Sequence, residues 1–252
     1  MADSIAGVVL GAGGGVRLRP LTRLRPKVLC PVGDRPLVDH ALERFAGVTE
    51  SVAVNVHHHR ALLEGHLAGR VHLSIESDVA LGTAGAIGFL RDWIDHRPVV
   101  VVNGDTYCPS SVAPLLEDWD GERLRVLVTP GSGGQLGPRC GIAGALLPWS
   151  EVATLAPVPT GLYERSWMRA AQEGRLEVLE LASDAVFVDC ASPANYLAAN
   201  LAWSGGDSVV GIGATVAGEI DQCVIWPGAH VLPQERLTRA IRANEHVTVL
   251  VR

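Results

Sequence analysis

The residues best suited to chemistry lie near the start of this 252-residue chain, where an apolar run ending at Leu10 meets Gly11-Ala12-Gly13-Gly14-Gly15. Glycines placed after a strand let successive backbone N–H groups approach an anion with no Cβ in the way, so Leu10 to Gly15 is expected to hold phosphate. Basic residues follow at once: Arg17, Arg19, Arg23, Arg25, Lys27 and Arg35, against the single acid Asp34. Guanidinium forks and an ammonium neutralise non-bridging phosphate oxygens, and Pro20 and Pro26 stiffen the segment that carries them. The alternative is a solvated basic loop with no ligand. Lys27 is the chain's only lysine among 21 basic residues, so chemistry that needs a side-chain ammonium has no other source.

Two common phosphate loops fail on spacing. A dinucleotide fingerprint starting at Gly11 needs glycine at position 16, which is Val16, and a Walker loop needs its lysine far earlier than Lys27. A nicotinamide-dependent oxidoreductase is disfavoured on the same ground. No Gly-x-Ser-x-Gly nucleophile pattern occurs. Further along, Asn103-Gly104-Asp105 follows four consecutive valines, which puts a carboxylate at the C-terminal edge of a strand, where α/β sheets bind ligands. One or two carboxylates with phosphate oxygens and water suit Mg²⁺, and Asp105 is a candidate half-site. Leu81-Gly82-Thr83-Ala84-Gly85 falls at a strand-to-helix corner; its small residues admit a flat ligand against the backbone, or they form an ordinary capped turn. Asn55-Val56-His57-His58-His59 brings three imidazoles together, but neighbouring strand residues face opposite ways, so a zinc site is not expected there.

Positioning these groups requires an alternation of strands and helices. The spacing predicts strands over 5–10, 51–56, 71–75 and 99–102, with helices over 36–45, 60–68 and 84–94, the last opening behind Thr83 as its cap. Strands over 123–129 and 140–147, helices over 149–155 and 163–172, strands over 176–181 and 186–189 and a helix over 193–203 complete the pattern. The expected fold is α/β, a Rossmann-like three-layer sandwich with a mostly parallel central sheet, over residues 1–204. From Ser208 onward apolar pairs alternate with glycines, which fits a short left-handed β-helix-like tail over 208–252; a plain β-hairpin cap is the other reading.

Composition narrows the partners. Net charge is -6, which argues against bulk attraction to nucleic acid or an anionic membrane. Five widely spaced cysteines without a CxxC pattern fit a reducing compartment, and neither a secretory leader nor an apolar run of membrane-spanning length is apparent, so a cytoplasmic protein is expected.

The long segment after Leu10 resembles the signature of sugar-1-phosphate nucleotidylyltransferases, Gly-x-Gly-x-Arg-Leu-x-Pro-Leu-Thr followed by Pro-Lys and Pro-Val. It matches at Gly13, Gly15, Arg17, Leu18, Pro20, Leu21, Thr22, Pro26, Lys27, Pro31 and Val32. Val16 departs from it, standing where the family commonly has Thr or Ser. The resemblance implies that the Gly11–Gly15 backbone and Arg17 hold a nucleoside triphosphate, that Lys27 contacts phosphate near the reacting centre, and that Gly82, Thr83 and Gly85 lie against the nucleoside. Asp189-Cys190-Ala191-Ser192-Pro193-Ala194-Asn195-Tyr196-Leu197 is similar to the family's Asp-x-Gly-Thr-Pro-x-Asp-Tyr-Leu stretch, which implies that Asp189 joins Asp105 as the Mg²⁺ pair.

The implied catalytic set is Arg17, Lys27 and Asp105, and the implied substrates are small molecules, a nucleoside triphosphate and a sugar-1-phosphate, with GTP and mannose-1-phosphate preferred. Self-association into a homo-oligomer stays open. The family's Glu-Lys-Pro stretch near the sugar phosphate is missing, and Arg139 is the replacement expected for its cation. That loss keeps a second reading alive, a catalytically idle nucleotide-binding regulatory homologue.

Overall fold

Apolar β-branched runs separated by glycine-bearing corners build a central sheet. The computed structural model describes residues 4–137 and 140–251. These fall into two units, one drawn from residues up to Gly13, Ala41–Gly104 and Cys108–Phe187, the other from Gly14–His40, Asp105–Tyr107 and Val188 onward. The tail from 208 therefore shares a unit with the signature segment. A division into 1–204 and 208–252 is a proposal from sequence character, distinct from these units.

The first unit holds seven strands: β1 (Ala6–Leu10), β2 (Val52–Val56), β3 (His72–Ile75), β4 (Val99–Asn103), β5 (Leu124–Val128), β6 (Ile142–Leu147) and β7 (Leu176–Glu180). Their order is β7-β5-β6-β4-β1-β2-β3. Only β6 runs antiparallel to its neighbours, so the mostly parallel α/β sheet is as expected. β1 lies between β2 and β4, with Leu10 opposite both Asn55 and Asn103. Strand order reverses beside β1, and a sheet of this kind opens its ligand crevice at the carboxyl ends of the strands flanking such a reversal. Val8, Val99, Val101, Leu124, Val126, Ala145 and Ile87 form the buried core of this unit.

The helices are α1 (Leu37–Glu43), α2 (Arg60–Leu67), α3 (Gly82–Phe89), α4 (Arg91–Ile94), α5 (Trp149–Val152), α6 (Met168–Gln172) and α7 (Pro193–Ser204). Four expectations need correction. The single helix over 84–94 is two, broken at Leu90, whose N–H is shared between the carbonyls of Ala86 and Ile87. Thr83 does not cap it: α3 already starts at Gly82, and the Thr83 hydroxyl instead accepts the N–H of Leu162 at 2.7 Å. The helix over 163–172 begins as a π turn, Tyr163–Trp167, before α6, and the helix at 149 closes at Val152 instead of 155.

In the second unit the signature folds as three short 3-10 turns, Val16–Leu18, Leu21–Arg23 and Lys27–Leu29, followed by a hairpin of Pro31–Val32 with Arg35–Pro36. In the tail, Val209 pairs in parallel with Val224, Val224 with Ile241, Thr215 with His230 and Glu219 with Arg236. Each strand thus stacks on one from the next circuit, a β-solenoid arrangement and not a plain hairpin. Cys223, Ile225, Ala229, Val231, Leu237 and Ala240 fill its interior, and Thr248–Leu250 closes it antiparallel to Ala240–Arg242. Among the described residues, no helix is long and apolar enough to cross a membrane.

Candidate functional site

Three distant segments of the second unit meet at Lys27. Its Nζ donates to Asp105 Oδ2 at 2.7 Å and lies 3.4 Å from Asp189 Oδ1. Lys27 is 6% exposed, whereas the two carboxylates are 36% and 50% exposed, so the acids keep open faces while the cation between them is enclosed. The carboxylates are brought together by a short antiparallel pair, with Asp189 opposite Thr106 and Val188 opposite Tyr107, and by the Cys190 N–H donating to the Asp105 carbonyl at 3.2 Å. The structure therefore brings together the two acids that the resemblance pairs, and adds Lys27 between them.

Helix α7 secures this arrangement. Ser192, in the place where the family has Thr, caps it by accepting the Asn195 N–H at 3.2 Å, and Asn195 Nδ2 donates to the Asp189 carbonyl at 2.9 Å. The Tyr196 hydroxyl donates to the Pro31 carbonyl, and Asn200 Oδ1 accepts the Gly33 N–H at 3.0 Å. Burial pushes the neighbouring thiols of Cys30 and Cys190 each up to about 12, which holds both protonated at neutral pH. Neither is a thiolate nucleophile.

The glycine loop is less uniform than its sequence. Gly11 packs closely, with its N–H donated to Asn55 Oδ1 at 2.7 Å, so it contributes close approach more than a free donor. A Cβ on Gly13 would meet nothing within 4 Å, and this position is open. Gly15 has φ +56°, and a Cβ there would lie 2.7 Å from Thr22 Cγ2 and 3.0 Å from Lys27 Cβ. Any other residue at 15 would press on the lysine's own stem. Arg17 and Val16 are exposed, and Leu10 and Ala12 lie within the first unit at the end of β1.

Gly82 and Gly85 have an internal reason to be small. A Cβ on Gly82 would lie 2.7 Å from the Thr160 carbonyl oxygen, and one on Gly85 would lie 2.2 Å from that of Val158. Thr83, beside them, lines a cavity of about 270 Å³ together with Leu10, Asn103, Tyr163, Glu164 and Trp167, over a floor that includes Gly144 and Ala145. Tyr163 and Trp167 meet edge to face at 6.3 Å. Tyr163, Glu164 and Trp167 were not anticipated as site residues: they sit on the π turn, which shows no distinctive spacing in sequence. Arg139, expected near the sugar phosphate, lies outside the described residues. Among the described residues no group of three or more His, Cys, Asp or Glu side chains is placed to hold a metal ion, His57 to His59 included.

Another glycine-rich stretch, residues 131–134, wraps a carboxylate of the protein itself. Glu180, at the end of β7, accepts from Ser132 Oγ at 2.6 Å and from the N–H groups of Gly131 at 3.1 Å and Gly134 at 3.3 Å. The Ser132 hydroxyl foremost, then these amides, pull its carboxyl down to about 2. Because the folded value is depressed, its contribution to stability is present above the ordinary value of 4.5 and is lost as pH falls through about 2. Carboxyl NMR titration is expected to show Glu180 moving back toward the ordinary range in Ser132→Ala; an unchanged midpoint would remove the hydroxyl as the leading cause.

Fold and site together define an α/β protein with a glycine corner at the strand-order reversal and, in its second unit, a lysine held between two acids. The sequence profile described as nucleotidyl transferase matches residues 6–132. An N-acetylmuramate alpha-1-phosphate uridylyltransferase of Caulobacter vibrioides is 38% identical over 47% of this chain and 54% of its own length. A mannose-1-phosphate guanyltransferase of Schizosaccharomyces pombe is 34% identical over 43% of this chain and 32% of its own. The chain thus matches about half or less of the length of these curated relatives. Among solved structures, a mannose-1-phosphate geranyltransferase from Thermus thermophilus superposes with a TM-score of 0.70 at 17% identity, covering 98% of this chain and 95% of that one. A UDP-glucose pyrophosphorylase from Acinetobacter baumanii gives 0.61 at 16%, covering 79% and 92%. The latter two speak for the fold alone. The chain belongs to the nucleotidyl transferase family, as the resemblance of its signature implied.

Proposed function

We propose that this protein is a sugar-1-phosphate nucleotidylyltransferase. A phosphate oxygen of the sugar-1-phosphate attacks the α-phosphorus of a nucleoside triphosphate, the bond to the β-phosphate oxygen breaks, and a nucleoside-diphosphate sugar and pyrophosphate leave. The observation that carries this reading is the enclosed Lys27 ammonium held between Asp105 and Asp189, 2.7 and 3.4 Å from their oxygens. An in-line displacement at phosphorus asks a protein mainly for positioning and charge neutralisation. The protonated cysteines nearby accord with a mechanism that forms no covalent intermediate on the protein.

In this reading Arg17 and the amides from Ala12 to Gly15 steady the β- and γ-phosphates, and Lys27 offsets the charge that grows on departing pyrophosphate. Gly82, Thr83 and Gly85 border the nucleoside. Asp105 and Asp189 would hold a divalent ion, Mg²⁺ by the hard-oxygen chemistry of the pair; their convergence on one cation in this structure fits such a role. When bound, the ion would supply further charge neutralisation at phosphate oxygens. The cavity beside Thr83, with Tyr163 and Trp167 as apolar walls and Asn103 and Glu164 as hydrogen-bonding groups, suits the hydroxylated ring of the acceptor.

GTP with mannose-1-phosphate is the first pair to test, supported by the guanyltransferase relative. UTP is the second reading, favoured by the 38% identical uridylyltransferase. The retention of Arg17, Lys27, Asp105 and Asp189 supports an enzyme over an idle homologue, and the five free cysteines support a cytoplasmic setting. The test is pyrophosphate release from five nucleoside triphosphates against a panel of sugar-1-phosphates with Mg²⁺. Release with at least one pair is expected; nucleotide binding without release from any pair would sink the enzyme reading.

A further inference from the structure

The corners after β1, β2 and β3 are joined inside the first unit by two polar side chains, Asn55 and Glu76, each 3% exposed. Asn55 Oδ1 accepts the Gly11 N–H at 2.7 Å, Asn55 Nδ2 donates to Glu76 Oε1 at 2.7 Å, and Glu76 Oε2 accepts the Leu81 N–H at 2.8 Å. The relay starts on the glycine loop and ends on the residue that opens α3. His57 Nδ1 pairs with the Glu76 carbonyl at 2.7 Å, holding the same corner from the strand-β2 side.

Burying a carboxylate is unfavourable, and packing alone would be served as well by an apolar side chain. What a carboxylate offers is acceptor capacity on both oxygens, so one group can fix two N–H donors at once. A glutamine cannot do this, because one of its two ends is itself a donor.

We propose that Glu76 is a positioning residue for the nucleotide: through Asn55 it sets the glycine loop and the Leu81 turn at one fixed spacing, so that a ligand touching both is bound by a prearranged surface. This rests on the proposed function, which assigns the loop to phosphates and the Leu81–Gly85 corner to the nucleoside. Its consequence is a coupling between the two ends of the ligand. A nucleoside monophosphate, engaging mainly the Leu81 corner, depends little on the relay. A triphosphate, which also needs the loop, depends on it strongly.

The experiment compares Kd for GTP and GMP, by calorimetry without acceptor, in the wild type and in Glu76→Gln; if the wild type binds another base better, that base's triphosphate and monophosphate are used. The GMP-to-GTP ratio of Kd values is expected to fall about tenfold in the variant, the effect of losing one hydrogen bond to a charged group. A role confined to stability would weaken both ligands alike and leave the ratio unchanged, and that result in a folded variant overturns the proposal.

Should Glu76→Gln fail to fold, Asn55→Ser, which releases Gly11 but leaves Glu76 paired with Leu81, is read by the same ratio. A wild type that binds neither GTP nor any other nucleoside triphosphate would instead overturn the proposed function itself.

Discussion

Lys27→Arg is expected to lower the rate of pyrophosphate release by ~10² to 10³-fold while leaving the circular dichroism spectrum of the folded protein close to wild type. The substitution keeps the charge, so it isolates shape. Lys27 presents a compact ammonium 2.7 Å from one carboxylate and 3.4 Å from another, and a Cβ on Gly15 would come within 3.0 Å of its own Cβ. A planar guanidinium on a longer stem forks toward one carboxylate and has no room to sit symmetrically between two in an enclosed position. The chain uses arginine for every other basic side chain, which makes a retained lysine here the informative exception. A near-normal rate in Lys27→Arg would remove this ammonium from the mechanism.

Trp226→Ala is expected to destabilise the protein by ~3 to 5 kcal/mol, the range for deleting a buried aromatic. In a chain of this size that is a fall in melting temperature of roughly 10 °C. Trp226 is 1% exposed, its Nε1 donates to the Tyr196 hydroxyl at 2.9 Å, and the Arg25 guanidinium stacks 4.5 Å from its ring. Tyr196 in turn donates to Pro31, so one tail residue braces the signature on both sides of Lys27. Trp226→Phe, which keeps a ring but loses the N–H, should fall between wild type and the alanine variant. A shift of less than about 3 °C for Trp226→Ala would mean that the tail does not brace the signature.

The sheet and its helices were readable because their residues repeat with simple periods: four valines announce β4, and the apolar spacing over 60–68 announces α2. The signature was readable by resemblance, but its folding into three 3-10 turns was not, since proline and arginine at irregular intervals have no period to detect. Lys27, Asp105 and Asp189 were each identifiable in sequence, yet nothing local predicts the contact among them; it comes from pairing Thr106–Tyr107 with Val188–Asp189, two-residue strands too short to leave a pattern. Glu76 and Glu164 escaped for different reasons. A buried acid looks like any surface acid until its N–H partners are known, and the π turn that carries Glu164 reads as ordinary helix.

The Lys27 contacts span 78 residues to Asp105 and 162 to Asp189, and the unit that contains them is entered by the chain on three separate occasions. During synthesis the glycine loop and the lysine emerge first, and for most of elongation the lysine has at most one of its two acids. Contacts of such long separation form late, because the loop-closing entropy must be overcome before they yield any stabilisation. A nascent or prematurely released chain ending before residue 189 therefore carries the glycine loop and its basic segment without the second carboxylate. The competence of the site becomes a report on completion of the chain: synthesis must pass Asp189 before the two acids can close around the one lysine.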